Sequence, residues 1–168
     1  MSIINYWFFI INIVSFFLII HSFYMEIFIR QISEKDVFPV AALCGQLGYD
    51  LSIDQTRENI KAVLSTNNHD GFVVVFGEEI IGWIGVGVAI QIESPACCEI
   101  RGLVVDDRYR NRGVGKMLVE KAKQWCHEKG YKSLRLRCNM KRTQTHLFYQ
   151  HLNFRVVKEQ KVFEIETG

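Results

Sequence analysis

The chain has 168 residues, an apolar fraction of 49% and a formal net charge of +2. That is enough for one domain with its own core, and the near-balanced charge excludes a general nucleic-acid binder. Cys44, Cys97, Cys98, Cys126 and Cys138 include no C-x-x-C pair, which favours buried reduced thiols in a cytosolic protein over a disulfide framework or a zinc site.

The first residues differ from the rest. Ser2 to Met25 contains no Asp, Glu, Lys or Arg. As a helix rising ~1.5 Å per residue it could span a ~30 Å hydrocarbon core. It lacks the basic start and small-residue cleavage site of a signal peptide. Residues 1–24 therefore read either as an apolar helix anchoring the protein to the inner face of the membrane or as a mis-assigned start. Arg30 and Lys35 follow the segment and no basic residue precedes it, so an anchor would leave the domain in the cytoplasm. The second reading starts the protein at Met25 and is preferred, because a domain spanning 25–168 needs no anchor.

From Met25, "MEIFIRQI" alternates as a first strand. Ser33 can cap a helix from about Glu34 to Gln46, with Pro39 working against its regularity. "LGYDLS" is a loop, and Ser52 or Asp54 opens a second helix ending near Ser65. "FVVVF" and "EIIGWIGVGVAIQI" are strands joined by a turn at Gly77-Glu78. The glycines of the second suggest a bend or bulge. Glu99 to Val105 is the next strand, and an amphipathic helix runs from Gly113 to before Gly130. "SLRLRC" is a strand, Thr143 to Leu152 a short helix, and "FRVV" and "KVFEIE" are two closing strands. The order β-α-α-β-β-β-α-β-α-β-β predicts a mixed α/β sheet, not a doubly wound dinucleotide fold.

The basic residues concentrate between Arg108 and Lys132. There "RYRNRGVGK" stands between a strand and a helix, where bare N–H groups and the helix dipole favour an anion such as phosphate. A P-loop needs G-x-x-x-x-G-K-[ST]. Met117 follows Gly115-Lys116, and Arg110 stands where its first glycine should be, so that motif fails. The dinucleotide fingerprint loses its third glycine to Leu118. The pattern [Q/R]-x-x-G-x-[G/A] is matched in full by Arg110-Asn111-Arg112-Gly113-Val114-Gly115. This stretch resembles the acetyl-CoA pyrophosphate loop of the GNAT acyltransferase superfamily, whose element order is also the one above. Downstream, "THLFYQHLNF" resembles the family's A-x-x-F-Y-x-x-x-G-F segment through Phe148, Tyr149 and Phe154. Thr145 replaces its alanine and Asn153 its glycine, and asparagine is the next best residue for a left-handed turn.

The resemblance implies acetyl transfer from acetyl-CoA, as co-substrate, to a primary amine by direct attack in a ternary complex. It implies that the backbone of Arg112, Gly113, Val114, Gly115 and Lys116 holds the pyrophosphate while Arg110 adds charge. The pantetheine arm would pair along Leu103, Val104 and Val105, with the N–H of Val104 or Val105 facing the thioester oxygen. Many members carry an asparagine seven residues before the tyrosine. Arg142 stands there, and Asn139 is the nearest asparagine. Glu99, eleven residues before Arg110, matches the strand glutamate that serves as base in the family's protein-lysine acetyltransferases, with Glu93 and His146 in reserve. Tyr149 matches the acid that protonates the departing thiolate. Gln46 to Leu51 should line the substrate mouth, where Asp50 and Asp54 could attract an amine. A polyamine or aminoglycoside-like amine, a free amino acid, a protein lysine and a protein N-terminus all remain open as substrates. So do a homodimer and a non-catalytic CoA-binding sensor.

Overall fold

The computed structural model describes residues 26–168. Residues 1–24, expected as an anchor or a mis-assigned start, lie outside the described part. Two compact units divide the chain after Leu136.

The first unit contains one sheet in the order β1-β2-β3-β4-β5. Its strands are β1 (Ile27–Gln31), β2 (His69–Phe76), β3 (Glu79–Gln91), β4 (Ser94–Val105) and β5 (Leu134–Leu136). Neighbours from β1 to β4 are antiparallel, and β5 runs parallel to β4. Helices α1 (Val37–Leu47) and α2 (Ile53–Leu64) pack on one face, where Val40, Leu43 and Ile60 meet Val73, Val75 and Val104. Helix α3 (Val114–Glu128) covers the other face with Leu118, Val119, Ala122 and Trp125.

Local chemistry explains the helix starts. The first turn expected of α1 is a 3₁₀ turn, Glu34–Asp36, and the α-helix begins only at Val37. Asp36 holds that turn by accepting from the Ser33 N–H at 2.7 Å and from Arg30 at 2.7 and 2.8 Å. Burial pushes the Asp36 carboxyl up, but these donors outweigh it and the net shift is downward. Pro39 falls in the first turn of α1, where its missing N–H has no intrahelical partner to lose. Ser52 opens α2 with a reciprocal capping box: Gln55 N–H donates to Ser52 Oγ at 3.2 Å and Ser52 N–H to Gln55 Oε1 at 3.0 Å.

The bend expected among the β3 glycines is a β-bulge. Gly85 pairs with Gly102 and Val86 with Ile100, so Arg101 is an extra residue in β4. Strand β4 also begins earlier than expected, at Ser94.

The second unit, residues 137–168, carries α4 (Thr143–His151). The two closing strands expected from "FRVV" and "KVFEIE" are not formed: residues 154–168 have no regular secondary structure. Val156, Val162, Phe163 and Ile165 are exposed. Alternation supplies a strand with an apolar edge, but a ladder forms only against a partner, and these residues pair with none.

Candidate active site

Strand β4 leads into the loop that the sequence singles out. Asp106 N–H donates to Ile81 O at 2.9 Å. In an antiparallel ladder, alternate residues bond the same neighbour. The N–H of Val104 therefore points at β3, while those of Leu103 and Val105 point to the opposite edge. Strand β5 pairs with β4 only at Cys98, Glu99 and Ile100, so that edge is unpaired by β5 beyond Ile100. Of the two expected thioester donors, Val105 has the open direction. The Val104 side chain is core, at 3% exposure.

An ionic cluster anchors the loop. Arg108 donates from Nε to Asp106 Oδ1 at 3.0 Å and from a terminal nitrogen to Asp106 Oδ2 at 3.0 Å, and it also pairs with Glu79. These bonds pull the Asp106 carboxyl down to about 2, Arg108 being the largest cause. Tyr109 Oη donates to Glu79 Oε2 at 2.9 Å, which raises the phenol's pKa. Gln46, expected at the substrate mouth, instead ties the end of α1 to this cluster by accepting from Asp107 N–H at 3.0 Å.

Beyond the cluster, the backbone is left-handed at Asn111 (φ 60) and Gly113 (φ 83). These turns deliver the chain into α3, whose first intrahelical bond runs from Met117 N–H to Gly113 O. The N–H groups of Val114, Gly115 and Lys116 precede it and lack intrahelical acceptors. A Cβ on Gly113 would meet nothing within 4 Å, so the surface there is open to a ligand. Arg110 donates weakly to Val105 O at 3.4 Å and pairs with Asp107. The Arg112 guanidinium lies 5.5 Å from the Tyr109 ring centroid, and Lys116 is exposed.

Facing α1 and α2, the sheet leaves a cavity of about 240 Å³. Val40 and Cys44 of α1, Ile60 and Val63 of α2, and Trp83 of β3 line it, and Arg101 is its one charged lining residue. Leu51 reaches it from the α1–α2 loop. Asp50 and Asp54 are exposed and outside the lining. Glu99 is buried at 6% exposure on the same sheet face, paired in register with Gly87 and Arg135. Its Oε2 lies 3.3 Å from an Arg101 nitrogen. Glu93, the reserve base, sits exposed in the β3–β4 turn. Three neighbours escaped the sequence reading: Arg101, Trp83 and His69. A Cβ on Gly87 would lie 3.0 Å from His69 Nε2 and 3.5 Å from Arg101 Nε, so both side chains occupy space that Gly87 leaves. The pairing of Gly87 with both His69 and Glu99 carries no local sequence signal.

In the second unit, Tyr149 is half-buried on α4 between Phe148 and Phe154, with ring centroids 5.0 and 5.6 Å away. Burial, with the Cys138 thiol second, pushes its phenol up to about 12. Asn153 has φ 66, the left-handed turn that its place in the motif requires, and Phe154 N–H closes it on Tyr149 O at 3.0 Å. Asn139 is exposed. Its Oδ1 accepts from Lys141 N–H at 2.9 Å, and its carbonyl accepts from His146 Nε2 at 3.0 Å. That bond fixes the proton of His146, the other reserve base, on Nε2.

The open β4 edge, the anion-ready helix start and the cavity between helices and sheet define an acyltransferase architecture. Residues 34–154 match the acetyltransferase (GNAT) family, and the chain belongs to that family. An uncharacterized N-acetyltransferase of Chlorobaculum tepidum is 33% identical over 86 residues, 51% of this chain and 50% of that protein. The chain thus spans about half the length of this curated relative. Among solved structures, the aminoglycoside 6'-N-acetyltransferase AAC(6')-Ih of Acinetobacter baumannii superposes with a TM-score of 0.76 at 16% identity, over 85% of this chain and 100% of that one. The aminoglycoside N-acetyltransferase AAC(6')-Iy in complex with CoA gives 0.75 at 20% identity, over 85% and 96%. At these identities the two superpositions speak to fold. No helix among the described residues is long and apolar enough to cross a membrane.

Proposed function

We propose that this chain is an acetyl-CoA-dependent N-acetyltransferase acting on a primary amine by direct attack in a ternary complex. The observation that carries this reading is the left-handed turn at Gly113, which opens α3 beside the edge of β4 that β5 leaves unpaired. The residues present suit the co-substrate. The N–H groups from Arg112 to Lys116 would hold its pyrophosphate, with Arg110 adding charge. The Leu103 and Val105 edge would pair with its pantetheine arm, and the Val105 N–H would stabilise charge on the thioester oxygen.

An ammonium has no lone pair, so its proton must leave before the nitrogen can attack. Glu99 is the proposed acceptor, being buried on the cavity side of the sheet. The nitrogen then bonds the acetyl carbon as the carbon–sulfur bond breaks. Tyr149 donates its phenolic proton to the departing sulfur, and the second proton, lost by the acylated nitrogen, restores the phenol. A phenol pushed up to about 12 keeps that proton at neutral pH. The free thiols, four of the five buried, suit the reducing cytoplasm.

An amine panel read by thiol release from acetyl-CoA tests the reading. Turnover of at least one primary amine is the expected result. Calorimetric binding of acetyl-CoA with no turnover across the panel would replace the enzyme with a CoA-binding sensor.

A further inference from the structure

We propose that the accepted amine belongs to a free α-amino acid with an apolar side chain; this rests on the N-acetyltransferase reading above. An α-amino acid carries an ammonium and a carboxylate on one carbon. Strand β4 offers the complementary pair, with buried Glu99 and Arg101 3.3 Å apart. Glu99 occupies one side of the guanidinium, yet the Arg101 side chain is still 48% exposed. A guanidinium has five N–H donors, enough to hold a second carboxylate through paired bonds. With its carboxylate on Arg101, the amino acid has its ammonium beside Glu99, the group proposed to take the proton.

The bulge makes this arrangement available. In an unbroken strand, Glu99 and Arg101 would leave Gly102 on the opposite face. The extra residue instead puts Glu99, Arg101 and Gly102 on the cavity side. The cavity that receives the side chain is walled by Val40, Ile60, Val63 and Trp83, which suits an aromatic or branched aliphatic group. A polycationic aminosugar would present several ammonium groups to an apolar wall whose one charge is also positive. That arrangement costs desolvation and repulsion without return. Asp50 and Asp54, the acids that could attract such a substrate, lie outside the lining.

The test compares phenylalanine and leucine with phenylalanine amide, leucine amide and kanamycin, using the full chain and thiol release from acetyl-CoA. The amides keep the amine and the side chain and lose only the carboxylate. The free acids should exceed their amides in kcat/KM by roughly tenfold or more. Arg101→Gln should erase that advantage by lowering the acid values more than the amide values, since loss of its pair with Glu99 acts on both alike and loss of the carboxylate contact acts on the acids only. A thermal melt checks that the variant is folded. Preference for kanamycin, equal use of acids and amides, or an equal loss on both in Arg101→Gln would overturn the substrate class and leave the acetyltransferase reading standing. Failure of every acceptor would overturn both, and calorimetry would then separate a CoA-binding protein from one that does not bind CoA.

Discussion

Arg108 grips both carboxylate oxygens of Asp106, two residues away, each at 3.0 Å. The pair fixes the exit of β4 before the loop begins. Because Asp106 titrates at about 2 in the fold against an ordinary value of 3.8, its stabilisation is complete above that ordinary value. It is lost as pH falls through the folded value. Thermal melts of the parent should therefore decline in acid between these two values. Asp106→Ala should cost about 2 kcal/mol at neutral pH and lack this component of the acid decline. A variant with the parent's full decline would place the acid sensitivity elsewhere.

Gly113 is a conformational requirement with open space beside it. At φ 83, Gly113→Ala should lose about 1 kcal/mol of stability by denaturant titration. Gly113→Asn should lose less, since asparagine tolerates the left-handed region. Both place a Cβ where the phosphate is proposed to sit, so acetyl-CoA affinity by calorimetry should fall in both. Unchanged affinity in both variants would remove the pyrophosphate from this loop.

The sequence carried the local features well. Capping at Ser33 and Ser52, the strand-loop-helix order around Gly113 and the left-handed Asn153 all depend on neighbours in the chain. What escaped it depends on pairing. The Arg101 bulge exists only relative to β3, and His69 approaches Gly87 from the open end of the β2–β3 hairpin. "FRVV" and "KVFEIE" have strand periodicity, yet periodicity does not provide a partner. Gln46 is expected at the mouth because it stands at the end of α1 next to the loop, whereas its hydrogen bonds to Asp106 and Asp107 tie that helix end to the β4 exit.

Tyr149→Phe retains the ring between Phe148 and Phe154 and removes the proton. Turnover should fall by roughly 10²-fold with acetyl-CoA affinity nearly unchanged. Because the parent phenol titrates at about 12, the parent should show no alkaline loss of rate from this group up to about pH 10. Near-normal turnover in the variant would mean that the thiolate leaves unaided.

Glu99→Gln should remove the acidic limb of the rate-versus-pH profile, since that limb reports deprotonation of the base. Retention of the parent's limb would move the base to another group or to a water chain.

Gly102 lies under the Trp83 ring. A Cβ there would come within 2.8 Å of Trp83 Cη2 and 3.0 Å of Cζ3, so Gly102→Ala must displace the indole that lines the cavity. Acceptor kcat/KM should fall several-fold while acetyl-CoA affinity by calorimetry holds. Loss of cofactor binding instead would show that the indole supports the β4 edge and not the cavity.

The extra residue in β4 also sets the reading frame of the strand. Val104 lies opposite Trp83 and Glu99 opposite Gly87, so Glu99 and Val104 share a face across an odd spacing that regular alternation forbids. Deleting Arg101 alone would give these two residues an even spacing, leave both on the face they now share and turn the ladder regular. Straightening the strand with Arg101 kept would instead turn one half inside out: either Val104 would leave the core or Glu99 would move to the α3 side. A one-residue shortening here thus preserves the two surfaces of the sheet and removes only the bulge. Comparison of this strand with any relative must therefore count residues from both ends and meet at the bulge.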